Sequence, residues 1–172
     1  VRVIAANAIK DGYGELVAAF ERSTGHKVVT TWTGTVNATK RVSDGEVFDL
    51  VIIASANIDQ LIAAGKLASG SRTDFAKTGV GMAMRNGLAR PDVSTSDAIR
   101  AAVLAANSVA YSAGPSGAYV GQMLNNMGVT AAIAGKVRQP SSGAEVAALI
   151  AKGEVDIGFG QVSEFLNVPG LV

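Results

Sequence analysis

The sequence predicts an α/β fold, and three observations carry that prediction. Apolar runs of strand length alternate with segments of helical periodicity along the whole chain. One of these runs, FDLVIIA at 48–54, reads as a continuous apolar strand, the pattern of a strand buried on both faces. The third is composition: 48% of residues are hydrophobic but only 5% are aromatic. That balance suits thin, alanine-faced helices packed closely on a sheet.

Each element follows from a local signal. VRVIAAN reads as a first strand. Tyr13, Leu16, Val17 and Phe20 then recur at helical spacing, with Asp11 as a cap and Gly25 as a stop. KVVTTW is a second strand and 36–42 a short helix. After FDLVIIA, the spacing of Ile58, Leu61 and Ile62 predicts a helix ending near Gly65. Strand, helix, strand, helix, strand is the parallel βαβ plan. GVGMAM at 79–84 is a further strand, and the turn-rich NGLARPD follows it. A lobe boundary belongs in this region, with 1–82 as the first lobe and 83–166 as the second. The second set comprises a helix at 97–106 behind Ser94 or Thr95, the strand SVAYS, and helices at 117–127 and 130–135. The strand KVRQ, a helix at 144–152 and the strand VDIGFG complete it.

Several function classes are excluded early. The 172 residues carry a net charge of +1 with the signs interspersed, and no basic stripe with interleaved aromatics suggests nucleic acid as a partner. No apolar run approaches bilayer-spanning length. The strand-like start at Val1 fits a mature, exported chain whose signal has been removed. Without cysteine there are no disulfides, no thiolate catalysis and no cysteine-ligated metal. The single histidine, His26, lies in a turn, so no metal site and no histidine-based triad is expected, and no cofactor is called for.

The loops carry the functional signal. Five small, polar or glycine-bearing stretches leave the carboxyl ends of predicted strands: 6–8, 33–35, 114–117, 141–143 and 160–161. Ligands of open α/β sheets bind beyond those ends. Helix starts there offer unpaired N–H groups and a partial positive charge, which favour an anion. Neither the Walker loop nor the dinucleotide fingerprint is present in SAGPSGAY at 112–119. Composition and spacing therefore stop at an α/β protein with an anion cleft.

The order of segments resembles the molybdate-binding proteins of ABC importers, within the class II periplasmic binding proteins. The residues that carry the resemblance are VIAAN, AAFERSTGHKVV, FDLVIIASANIDQLIAAGKL, YSAGPSGAYVGQMLNNMGV and AALIAKGEVDIGFGQVSEF. It covers essentially the whole chain. The resemblance implies two lobes of mostly parallel sheet flanked by helices, and a small anion gripped in the interlobe cleft. Its contacts would fall on Asn7 or Ala8, Thr35, Ser116 with Gly117, the neighbourhood of Ser142 and Gly143, and Gln161. An ABC importer permease is the implied partner. Two departures stand out: Asn7-Ala8 replaces a loop serine, and Gln161 replaces a tyrosine.

SRTDFAKTGVGMAMRNG and GQVSEFLNVPG look closer to a divergent branch that resembles aconitate isomerase. That alternative is a periplasmic isomerase acting on a polycarboxylate such as aconitate. A polycarboxylate would want cations, for which Lys10, Arg72 and Arg85 are candidates. Isomerisation would also need a base, for which Asp11, Lys10, Tyr111 and Tyr119 are candidates. Trp32 is open to either a packing or a ligand role, whereas Met82 and Met84 suit the core. The family usually continues with a segment returning to the first lobe, of which 167–172 would be the start. The first lobe is therefore expected to expose apolar surface, or to have it covered by a partner or a second copy.

Overall fold

The computed structural model describes all 172 residues. They divide into two compact units, Val1–Lys77 and Thr78–Val172.

Unit 1 is a three-stranded parallel sheet in the order β2-β1-β3. Strand β1 (Arg2–Ala6) lies centrally, with Val3, Ile4 and Ala5 almost fully buried. Helix α1 (Lys10–Thr24) follows a 3₁₀ turn at Asn7–Ile9, so Asp11 sits in its first turn rather than at its cap. It ends where Gly25 takes φ 72° and its N–H closes on the Glu21 carbonyl at 2.9 Å. Strand β2 (Val29–Thr33), helix α2 (Thr35–Ser43), strand β3 (Leu50–Ile52) and helix α3 (Ser55–Ala63) complete the unit. Its core is Ile4, Ala38, Val42 and Leu61.

Two expectations change here. FDLVIIA is not the strand buried on both faces: β3 pairs only with β1 and leaves Leu50 49% exposed. The doubly covered strand is β1, because it has a neighbour on each side. The helical stripe of α1 buries no residue, and Leu16 and Phe20 stay exposed. Tyr13 is the exception in part: it stacks edge-on against Trp32 at 5.2 Å and its hydroxyl meets Thr30 Oγ1 at 3.1 Å. Trp32 is thus a packing residue of β2.

Unit 2 is a four-stranded sheet in the order β4-β7-β5-β6. Its elements are β4 (Val80–Met84), α4 (Ser96–Ala105), β5 (Val109–Tyr111), α5 (Pro115–Asn126), α6 (Thr130–Ile133), β6 (Val137–Arg138), α7 (Gly143–Ala151), β7 (Ile157–Gln161) and α8 (Val162–Phe165). Strands β5, β6 and β7 are parallel, whereas β4 runs antiparallel to β7. One core cluster gathers Val103, Val109, Val120, Leu124 and Ile157. A second packs α7 on the sheet through Val146 and Ile150. Gly158 permits that approach, since a Cβ there would lie 2.6 Å from Val146 Cγ1.

The boundary falls before β4, not near residue 82, because β4 hydrogen-bonds along its length to β7. The terminal residues also stay with unit 2. Val172 exchanges backbone hydrogen bonds with Met84 at 2.9 Å, and Asn86 N–H reaches the Gly170 carbonyl at 2.7 Å.

Candidate functional site

Because β5, β6 and β7 are parallel, their carboxyl ends lie on one edge of unit 2. The loops that leave them are 112–114, 139–142 and the β7–α8 junction at Gln161. The first two are tied together by Ala113 N–H to the Pro140 carbonyl at 2.8 Å. The antiparallel β4 brings its start to the same edge, where Val162 N–H meets the Gly79 carbonyl and the Ser163 hydroxyl meets Thr78 Oγ1.

Helix α5 starts directly on the end of β5. A Cβ on Gly117 would collide with the Ser112 carbonyl and lie 2.5 Å from its carbon, so only glycine fits. Ser112 is buried, and its Oγ accepts from Gly114 N–H at 3.3 Å and meets Ser116 Oγ at 3.4 Å. The N-cap is Gly114, which has no side chain to close the helix, and Pro115 follows. First-turn amides have no intrahelical acceptor. Those of Ser116 and Gly117 therefore lie without an intrahelical acceptor beside two hydroxyls.

Helix α7 is built the opposite way. Ser142 caps it, accepting from Glu145 N–H at 3.3 Å, while Glu145 reaches back to Ser141 N–H at 3.0 Å. This is a capping box displaced by one residue at the carboxylate end. The Ser141 hydroxyl, donating at 2.5 Å, holds the Glu145 carboxyl below the usual glutamate range. A second carboxylate, Glu164 from α8, lies against Gly143, beside the backbone amides of Ala144 and Gln161. Burial pushes its carboxyl up, and those two backbone donors offset only part of that rise.

In unit 1 all three strands are parallel, so Asn7, Ala8, Thr35 and the start of α3 at Ser55 lie on its own carboxyl edge. Gly34 caps α2 without a side chain, and Thr35 is buried behind it. The Ser55 helix start carries the same geometry, with Ala54 at its cap.

The cation candidates fall elsewhere. Arg72 is bound by Asp59 at 2.6 Å and Asp74 at 2.7 Å, and these hydrogen bonds, Asp74 first, raise its pKa. Arg85 follows the far end of β4, away from the unit 2 loops, where its guanidinium lies against Gly153. Lys10 is exposed in the first turn of α1, as is Asp11. Tyr111 packs into the core under α5, with Gly121 beside its ring. Tyr119 is 62% exposed and faces a groove shared with Asp97 and Arg100 of α4. Sequence reasoning missed Ser55 and Glu164. A spacing signal existed for Glu164, three residues after Gln161, but only the packing of α8 on α7 brings it to Gly143.

No group of three or more histidine, cysteine, aspartate or glutamate side chains is disposed to hold a metal ion. No helix is long and apolar enough to cross a membrane.

Two α/β units, each with helix starts gathered at the carboxyl edge of parallel strands, have the architecture of the periplasmic binding proteins. The chain belongs to the family of bacterial extracellular solute-binding proteins, whose family model matches residues 1–172. It is 32% identical over 176 aligned positions to an aconitate isomerase from Pseudomonas sp, covering 98% of this chain and 66% of that relative. The chain thus spans just under two thirds of the length of that protein. Among solved structures it resembles the periplasmic molybdate-binding protein of Azotobacter vinelandii, with a TM-score of 0.80 at 19% identity over 95% of this chain and 72% of that one. It also resembles the tungstate ABC transporter structure from Geobacter sulfurreducens, with a TM-score of 0.73 at 14% identity over 100% and 78% of the two chains. At these identities the structures show the fold.

Proposed function

We propose that this protein is an exported solute-binding protein that captures a small oxyanion or carboxylate and delivers it to an ABC-type importer. The observation that carries this reading is the open start of α5. At one edge of unit 2, two helices begin within a linked pair of loops, and only α7 is closed by the chain's own side chains. The α5 start keeps its first-turn amides and the Ser116 hydroxyl for a ligand. Uncapped first-turn amides with neighbouring hydroxyls favour an anion without a metal or a fixed cation. Ser116, Gly117 and Gln161 are the proposed contacts of unit 2, with Ser142 and Gly143 at the neighbouring helix start that the chain's own side chains close. Asn7, Ala8 and Thr35 are the proposed contacts on the carboxyl edge of unit 1.

A second reading is an isomerase acting on a polycarboxylate, and the Pseudomonas relative favours it. One thermal-shift and turnover experiment separates the two. The protein is titrated with molybdate, tungstate, sulfate, citrate and both aconitate isomers, and the recovered ligand is analysed. Stabilisation with ligand recovered unchanged supports the binding protein. Interconversion of the aconitates supports the isomerase, and no stabilisation by any of these anions refutes both.

A further inference from the structure

The Glu164 carboxylate sits where an outside anion would sit at a helix start. It lies so close to Gly143, in the first turn of α7, that a Cβ there would be 2.5 Å from Glu164 Cδ. Its own helix starts at Gln161, the residue on which the β7 loop turns. None of the seven ion pairs of the chain involves Glu164. The elements packed on α8 are α7, β4 and β7. Strands β4 and β7 carry no ionisable residue. Helix α7 carries only Glu145, turned to Ser141 and Ser142, with Lys152 past its far end. No ion pair therefore offsets the charge on Glu164.

We propose that Glu164 is a specificity-determining residue of the anion site: as a built-in anion on α7, it makes ligand capture depend on a proton. The inference rests on the anion-binding reading above. A fully ionised, donor-free dianion brought to the α5 start adds like charge to the same edge, which is unfavourable. A ligand that carries its own proton donor supplies what an ionised carboxylate, an acceptor only, can use. Otherwise Glu164 takes a proton from solvent as the ligand enters. Burial raises its carboxyl in the direction that favours such uptake. The preferred ligand class is a partly protonated or hydroxyl-bearing carboxylate rather than a bare tetrahedral dianion.

The test is calorimetric titration of the wild type and Glu164→Gln with sulfate, which does not titrate near neutral pH, and with citrate. Each is run between about pH 5 and pH 8 in two buffers of different ionisation enthalpy. One linked proton sets a limit of about tenfold in affinity per pH unit. For the wild type we expect sulfate affinity to fall toward that slope as pH rises, with proton uptake approaching one per sulfate bound. Glu164→Gln should bind sulfate about tenfold or more tightly than wild type at pH 8, with no linked proton and a reduced preference for citrate. Wild-type proton uptake needs no variant, so it decides the matter even if Glu164→Gln folds poorly. A purely structural role would move the unfolding temperature and leave the linked proton in place. Anion binding with no proton uptake, and equal affinity in both proteins, overturns this inference alone. Failure of both anions to bind either protein overturns the anion-binding reading with it.

Discussion

Gly117 and Gly121 lie one turn apart in α5, and the structure predicts opposite outcomes for the same substitution. Replacing a helix-interior glycine with alanine removes backbone entropy from the unfolded chain and stabilises by about 0.5–1 kcal/mol where the methyl has room. At Gly121 it has room, because the nearest atom to the new Cβ is Tyr111 Cε2 at 3.9 Å. At Gly117 it does not. There the methyl would meet the Ser112 carbonyl, with its carbon at 2.5 Å and Ser112 N at 3.1 Å. Those atoms belong to the backbone, so no rotamer change relieves the overlap, and α5 must move off the end of β5. Overpacking of this kind costs about 1–3 kcal/mol or more, which exceeds the propensity gain. The propensity gain is common to both variants, so they should differ by the overpacking cost, about 1–3 kcal/mol or more in unfolding free energy, with Gly121→Ala above and Gly117→Ala below wild type. Urea unfolding monitored by far-ultraviolet circular dichroism reads this directly. At an m-value of about 2 kcal/mol per molar urea the midpoints separate by about 0.5–1.5 M or more. If both variants shift the same way, α5 does not start on Ser112 as described, and the reasoning for an open helix start there fails with it.

Four further outcomes follow from the same geometry. Ser116→Ala should weaken anion affinity by about 1.5–3 kcal/mol, one charge-assisted hydrogen bond, and unchanged affinity by calorimetry would remove Ser116 from the site. Arg72→Gln and Arg85→Gln should leave anion affinity unchanged, since Asp59 and Asp74 hold the first and the second lies at the far end of β4; a loss in either titration would show a missing cation. The two carboxyls at α7 should give opposite pH dependences of unfolding temperature. Glu145 lies below the usual value of 4.5, so its contribution is present above that pH and disappears as pH falls through its lowered pKa. Glu164 lies above 4.5, so its contribution is full below that pH and is lost as pH rises through the raised pKa. Melting curves of Glu145→Gln and Glu164→Gln from about pH 3 to pH 8 should each lose the corresponding limb.

Much of the fold is set by local signals that need no partner. VRVIAAN, KVVTTW and SVAYS become strands, Gly25 ends α1, and Thr95 caps α4 by accepting Ala98 N–H at 3.1 Å. The loops at Asn7, Thr35, Ser116 and Ser142 are legible because strand-to-helix turns use small and polar residues. Pairing is not local, and there the sequence runs out. The hydrophobicity of FDLVIIA does not state how many neighbours β3 has, and one neighbour leaves Leu50 exposed. GVGMAM is a strand in either unit, and only its register with β7, from Val80 opposite Gln161 to Met84 opposite Ile157, assigns it to unit 2. Antiparallel pairing in turn places Arg85 at the wrong end of the sheet for the loops. The difference between two helix starts of similar composition, one open at Gly114 and one filled by Glu145 and Glu164, is likewise tertiary. The local box of Ser142 and Glu145 fixes where α7 begins, whereas the carboxylate of Glu164 that packs on its first turn comes from another element.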